Sequence, residues 1–166
     1  MKANSAPPLL ELYNGYDRWK DEYLSLRIRH RELCRLLKWN PNNFDYPDWD
    51  GFHSSIQQRF LDFFRDWEQH QQQEQRFIYP IAKSSTGGTS LPVSVLEQES
   101  GLTQQFYEAY KEKAGLLESN SNLLAEEALI SMLQVLLLLS EHFRVEDEFV
   151  IPIIETLLEQ LEYNSL

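Results

Sequence analysis

A chain of 166 residues is long enough to bury one sizeable core. A quarter of its residues are charged and 42% are apolar, an ordinary composition for a folded domain, and the formal net charge of −11 argues against a nucleic-acid partner or an anionic membrane surface. Cys34 is the only cysteine, which excludes an internal disulfide framework, a thiolate zinc site and an iron–sulfur cluster. The first residues, with Pro7 and Pro8, lack the charged start and long apolar run of a signal peptide. The most apolar stretch, Val135 to Leu139, reads as far too short to cross a bilayer, so a cytoplasmic protein with no membrane partner is expected.

Residues 1–16 read as an N-terminal arm and 17–162 as one helical domain. The first long helix is predicted from about Asp17 to Lys38. There Trp19, Tyr23, Leu26, His30, Leu33 and Leu37 recur at spacings of three and four, the signature of a core-facing stripe. Trp39-Asn40-Pro41 stops it, because the residue before a proline is disfavoured in helical geometry. The connection 39–51 is rich in turn formers, and its aromatics Trp39, Phe44, Tyr46 and Trp49 read as packing that caps one end of the fold.

The second helix is predicted from about Gly51 to Tyr79, with the stripe Ile56, Phe60, Phe63, Trp67, His70, Glu74 and Phe77. Pro80 is expected to close or kink it. A Ser/Gly/Thr loop follows. The third helix opens near Pro92 and carries Leu96, Ser100, Thr103, Tyr107, Tyr110, Ala114 and Leu117 on one face. The fourth runs from about Leu123 through Pro152 towards Glu162, with Val135, Leu138, His142, Glu146, Phe149 and Ile153. No strand-like alternation of useful length is present, so the expected fold is all-α, an antiparallel up-down four-helix bundle.

Two segments repeat one another. His70-Gln-Gln-Gln-Glu74-Gln-Arg-Phe77-Ile78-Tyr79-Pro80 and His142-Phe-Arg-Val-Glu146-Asp-Glu-Phe149-Val150-Ile151-Pro152 both read His-x3-Glu-x2-Phe-[Ile/Val]-x-Pro. Residues four apart on a helix share a face, so each His and Glu is carried on an otherwise apolar stripe. Burying such groups is costly unless something pairs with them, and one cation shared by both pairs offsets the cost together. A metal-free hydrogen-bonded network is the alternative. His30 is the third histidine on a core stripe, whereas His53 lies off the stripe and reads as surface. Imidazole and carboxylate without thiolate suit iron, with manganese and zinc as further metals. His30, His70, Glu74, His142 and Glu146 are five candidate ligands, enough to leave the sixth position of an octahedral ion open for water or a diatomic molecule.

At these residues the sequence resembles the hemerythrin-like family of cation-binding helical bundles. Its members carry a His on the first helix, His-x3-Glu on the second, a His on the third, and His-x3-Glu or His-x4-Asp on the fourth. The resemblance covers residues 17 to 155. It implies that His30, His70, Glu74, His142 and Glu146 are metal ligands, with Asp147 in the alternative acidic position. The departure is on the third helix, where Ser100 stands in place of the His. Tyr107 and Tyr110 share that face and are further candidates for the metal's surroundings. The resemblance implies a mononuclear or lopsided di-iron site and a protein that binds or senses oxygen, nitric oxide or iron. A stress-response redox enzyme and a metal-free interaction scaffold are the alternatives.

Overall fold

A computed structural model of the chain describes residues 8–39, 48–86, 91–117 and 122–164. These are helical nearly throughout, and no strand occurs among them. Four helical rods enclose a common core, an arrangement compatible with a four-helix bundle. The first rod is α1, Pro8–Trp39. The second joins α2, Trp49–Gln73, through a π-helical turn at Glu74–Ile78 to α3, Tyr79–Ser85. The third is α4, Leu91–Gly115. The fourth joins α5, Asn122–Val145, through a second π-helical turn at Glu146–Val150 to α6, Ile151–Asn164.

The predicted stripes form the core. Trp19, Tyr23, Leu26, His30 and Leu33 of α1 are buried, as are Ile56, Phe60, Phe63, Trp67, His70 and Glu74 of the second rod. α5 touches α1, α2 and α4 and carries the densest apolar face, including Val135, Leu136 and Leu139. Each aliphatic side chain of this kind contributes about 1.5–3 kcal/mol by leaving water. Polar contacts set the pairing at the rim: Arg29 meets Asp66 at 2.7 Å and Lys20 meets Glu155 at 2.8 Å. Lys113 Nζ donates to Ser131 Oγ at 3.0 Å, joining α4 to α5.

Helix α1 starts earlier than the stripe suggested. It is helical from Pro8, a residue suited to a first turn, and Leu12 and Tyr16 extend its buried face. Of the expected arm, residues 8–16 therefore belong to the first rod, and 1–7 lie outside the described residues. Gly15 sits exposed within it, where a missing side chain costs propensity but no packing. Of the aromatic connection, Trp49 opens α2 and packs against the core, while Phe44 and Tyr46 lie outside the described residues.

Pro80, expected to close or kink its helix, and Pro152 in the fourth rod are each preceded by a π-turn. A proline lacks an N–H, and in an α-helix its ring meets the carbonyl four residues back. Here Tyr79 N–H reaches Glu74 O and Ile151 N–H reaches Glu146 O, five residues back, so each turn holds one extra residue directly before the proline. The extra residue moves the buried face by one position. Ile78 and Tyr79 are buried where Phe77 was expected, and Val150, Ile151 and Ile154 are buried where Phe149 and Ile153 were expected. Phe149 is left 45% exposed.

The run Asn122–Asn164 is long and apolar enough to cross a membrane by length and composition, contrary to the expectation from Val135–Leu139 alone. A core helix meets the same criterion, and residues from Ala128 to Leu158 along this run belong to the core.

Candidate metal centre

The two His–Glu pairs meet between the second and fourth rods. Glu74, His142 and Glu146 each bring a donor atom to within 4.8 Å of the others. His142 Nε2 lies 2.6 Å from Glu146 Oε1 and 3.9 Å from Glu74 Oε2, and His70 Nε2 lies 2.9 Å from Glu74 Oε1. All four side chains are buried, none more than 2% exposed. The two i,i+4 spacings place these groups on their helix faces. The π-turns begin at the two glutamates themselves, so both carboxylates sit where the backbone widens.

Aromatic walls hold the imidazoles. Trp19 stacks on His70 with ring centroids 5.1 Å apart, and Trp67 stands edge-on to His142 at 5.7 Å. Such surroundings exclude water and make every unpaired charge costly. Yet neither nitrogen of His70 has a hydrogen-bond partner, although Nε2 is close to a carboxylate. His142 Nδ1 and Glu146 Oε2 are also unpartnered. Donor atoms crowded at 2.6–2.9 Å without hydrogen-bond geometry fit a set facing a common point. Two donors about 2.1 Å from one ion lie roughly 3–3.4 Å apart, so these pairs would open slightly to admit one. His70 Nδ1, on the far side of the ring, faces Glu22 Oε2 at 3.8 Å across a surface groove of about 490 Å³ between α1 and α2. An acidic partner behind a ligating histidine is the usual support for such a ring.

The carboxylates are not equivalent. Burial and the neighbouring Glu74 push the Glu146 carboxyl well above the usual range. Burial works against ionisation of Glu74 as well, but the Glu146, His142 and His70 side chains around it outweigh burial and hold its carboxyl below the usual range. Burial works to lower the His142 imidazole. The Glu146 and Glu74 carboxyls outweigh it and push the imidazole up to about 10. Without a cation the cluster therefore keeps protons that a cation would displace.

Tyr79 belongs to the cluster and was not anticipated. Its hydroxyl donates to Glu74 Oε2 at 2.8 Å and lies 3.4 Å from both His142 Nε2 and Glu146 Oε1. Gln71 Nε2 donates to the same hydroxyl at 3.1 Å and to Ser100 Oγ at 2.9 Å. Five positions after Glu74, a tyrosine on a regular α-helix would point well away from it; the extra residue of the π-turn brings it back. The clue in the sequence was the proline that follows at the same place in both repeats. Glu99 of α4 is a second unanticipated neighbour. Burial raises its carboxyl, His142 opposes the rise, and its Oε2 lacks a partner.

The other expected residues lie elsewhere. His30 Nε2 is 2.7 Å from the Leu136 carbonyl oxygen and 3.3 Å from Ser140 Oγ, so the structure does not bring it into the cluster. Asp147 projects to α1, where it accepts from Tyr23 Oη at 2.7 Å and pairs with Arg27. Ser100 reaches the cluster only through Gln71. Tyr107 stacks on Phe64 at 3.6 Å and Tyr110 bonds to His53, both about 15 Å or more of helix rise before Glu74. His53, read as surface, is buried at 2% exposure, because Tyr110 Oη satisfies its Nε2 at 2.8 Å.

Comparison with protein-family models, with curated proteins and with solved structures finds no match for this chain.

Proposed function

We propose that the protein is a metal-binding bundle of the hemerythrin-like kind. It is an antiparallel up-down four-helix bundle that holds non-haem iron between Glu74, His142 and Glu146, with His70 as a fourth ligand. The antiparallel order is supported by contacts that run in opposite senses: Trp19 with His70, Arg29 with Asp66, and His30 with Phe63. The observation that carries the metal reading is the convergence of two buried His–Glu pairs whose imidazoles have unpartnered nitrogens in an aromatic enclosure. A cation satisfies all four groups at once, and few other partners do.

The donor set of imidazole and carboxylate suits iron and also fits manganese or zinc. When bound, the ion supplies a Lewis-acidic centre with positions open to water, oxygen or nitric oxide. Binding or sensing of such a ligand, or of iron itself, is the role we assign. Tyr107 and Tyr110, expected in the metal's surroundings, sit apart from the cluster, which weakens the enzyme alternative. In the scaffold alternative the polar network stays metal-free, and the orphaned nitrogens of His70 and His142 weigh against it.

The test is metal analysis of protein purified from iron-supplemented cells. We expect stoichiometric iron, with manganese or zinc substituting when iron is withheld, and loss of metal in a His70→Ala/Glu74→Ala double variant. Protein without stoichiometric metal would overturn the reading.

A further inference from the structure

Tyr79 Oη is close to three of the cluster's donor groups at once. A phenol that only capped Glu74 needs the 2.8 Å bond to Oε2 and nothing more. The two further approaches, 3.4 Å to His142 Nε2 and 3.4 Å to Glu146 Oε1, are long for strong hydrogen bonds. They are the size of ligand-to-ligand edges around one ion, roughly 3–3.4 Å. The hydroxyl is also aimed by construction. The π-turn delivers it, and the Gln71 amide, itself anchored on Ser100, donates to its oxygen as it would to a phenolate. Ser100 thus serves the centre through Gln71 and Tyr79 rather than as a ligand.

We propose that Tyr79 is an additional ligand that gives the cation its phenolate oxygen and makes the centre selective for a hard trivalent ion, ferric iron being the natural one. The inference rests on the metal reading and adds to it. Its charge balance is simple. Glu74, Glu146 and Tyr79 carry three negative charges when ionised, and His70 and His142 are neutral as ligands. That sum neutralises a trivalent ion inside the enclosure, where any residual charge is costly. Any protons these side chains hold leave for solvent as the ion enters. A divalent ion is neutralised by the two carboxylates alone and leaves the phenol protonated.

The experiment is a titration of metal-free full-length protein with ferric citrate, followed by desalting, iron analysis and visible spectroscopy. A phenolate bound to ferric iron gives a broad visible charge-transfer band with resonance-enhanced ring vibrations. We expect that band, a shift of those vibrations in protein grown with ring-deuterated tyrosine, and its loss in Tyr79→Phe. Tyr79→Phe should still bind manganese(II) with the stoichiometry of the unaltered protein. The isotope shift needs no substitution and so does not depend on the variant folding. Iron bound without the band, or a band retained in a folded Tyr79→Phe, would overturn the role of Tyr79 and leave the metal reading standing. Failure to bind either iron or manganese at all would overturn both.

Discussion

The four histidines of the chain are all buried, and they divide into two kinds. His30 and His53 have ordinary partners, a backbone carbonyl of α5 and a tyrosine hydroxyl of α4. His70 and His142 face carboxylates and keep nitrogens with no partner. The first kind is a satisfied structural histidine; the second is the set we propose as ligands. Burial alone does not separate them, and helix position does not either, since His30 lies on a core stripe as clean as those of His70 and His142. What separates them is whether the neighbouring polar groups complete one another or leave a remainder for a cation.

The largest effect that this difference predicts is on metal affinity. Glu74→Ala or His142→Ala should weaken binding by more than the roughly 10- to 100-fold that changes behind a ligand cost, whereas His30→Gln should leave metal stoichiometry unchanged. Isothermal titration with manganese(II) checks both, and a loss of binding in His30→Gln would erase the distinction.

Next in size is the stability of the metal-free protein. The Glu146, His142 and His70 side chains hold the Glu74 carboxyl below its usual range against burial, so Glu74→Gln should cost about 3–5 kcal/mol. Burial and Glu74 push the Glu146 carboxyl up towards its neutral form, so Glu146→Gln should cost less, under about 1.5 kcal/mol, while still weakening metal binding. Urea unfolding of the two metal-free variants measures the asymmetry directly. Equal losses would contradict that asymmetry.

A third prediction concerns pH and the satisfied pair. Burial lowers both His30 and His53 below their ordinary value of 6.5. The unfolded chain therefore takes up these protons first as pH falls. Their contribution to stability is full above about 6.5 and is lost below it, at up to about 1.4 kcal/mol per pH unit for each histidine. His30→Gln should flatten the stability profile of the metal-free protein between about pH 6.5 and 5. An unchanged slope would show that His30 is not held neutral by the fold. The smallest effect is expected at Tyr110→Phe, which removes the partner of His53 and should cost about 1–2 kcal/mol with metal binding untouched.

The helical class, the four rods and the two His–Glu pairs were legible because they depend on spacing along one helix, and periodicity reports that directly. Ile56 to Glu74 is buried as the stripe requires. Three things were not legible, each for a physical reason. His53 lies off the stripe, but Tyr110 comes to it from another rod, a contact that no local pattern encodes. His30 shares the core face of its helix, yet how far along the bundle it meets its neighbours is set by how the rods slide past each other. There it lies beside Leu136 and Ser140 and not beside the carboxylates. Tyr79 was hidden by the π-turn, which displaces the face after Glu74 by one residue, and the same displacement carried Phe149 out of the core. The repeated proline marked both turns. A proline six residues after a buried glutamate on a continuing helix is a sign that the α-helical count changes between them.

The most direct test of the central claim is an anomalous-scattering map from crystals of the protein grown with iron or manganese. The account predicts one dominant peak enclosed by Glu74, His142 and Glu146, with His70 Nε2 turned towards it and His30 still bonded to the Leu136 carbonyl. An empty cluster with ions bound only at surface carboxylates, or a peak coordinated by His30 in place of His142, would contradict it.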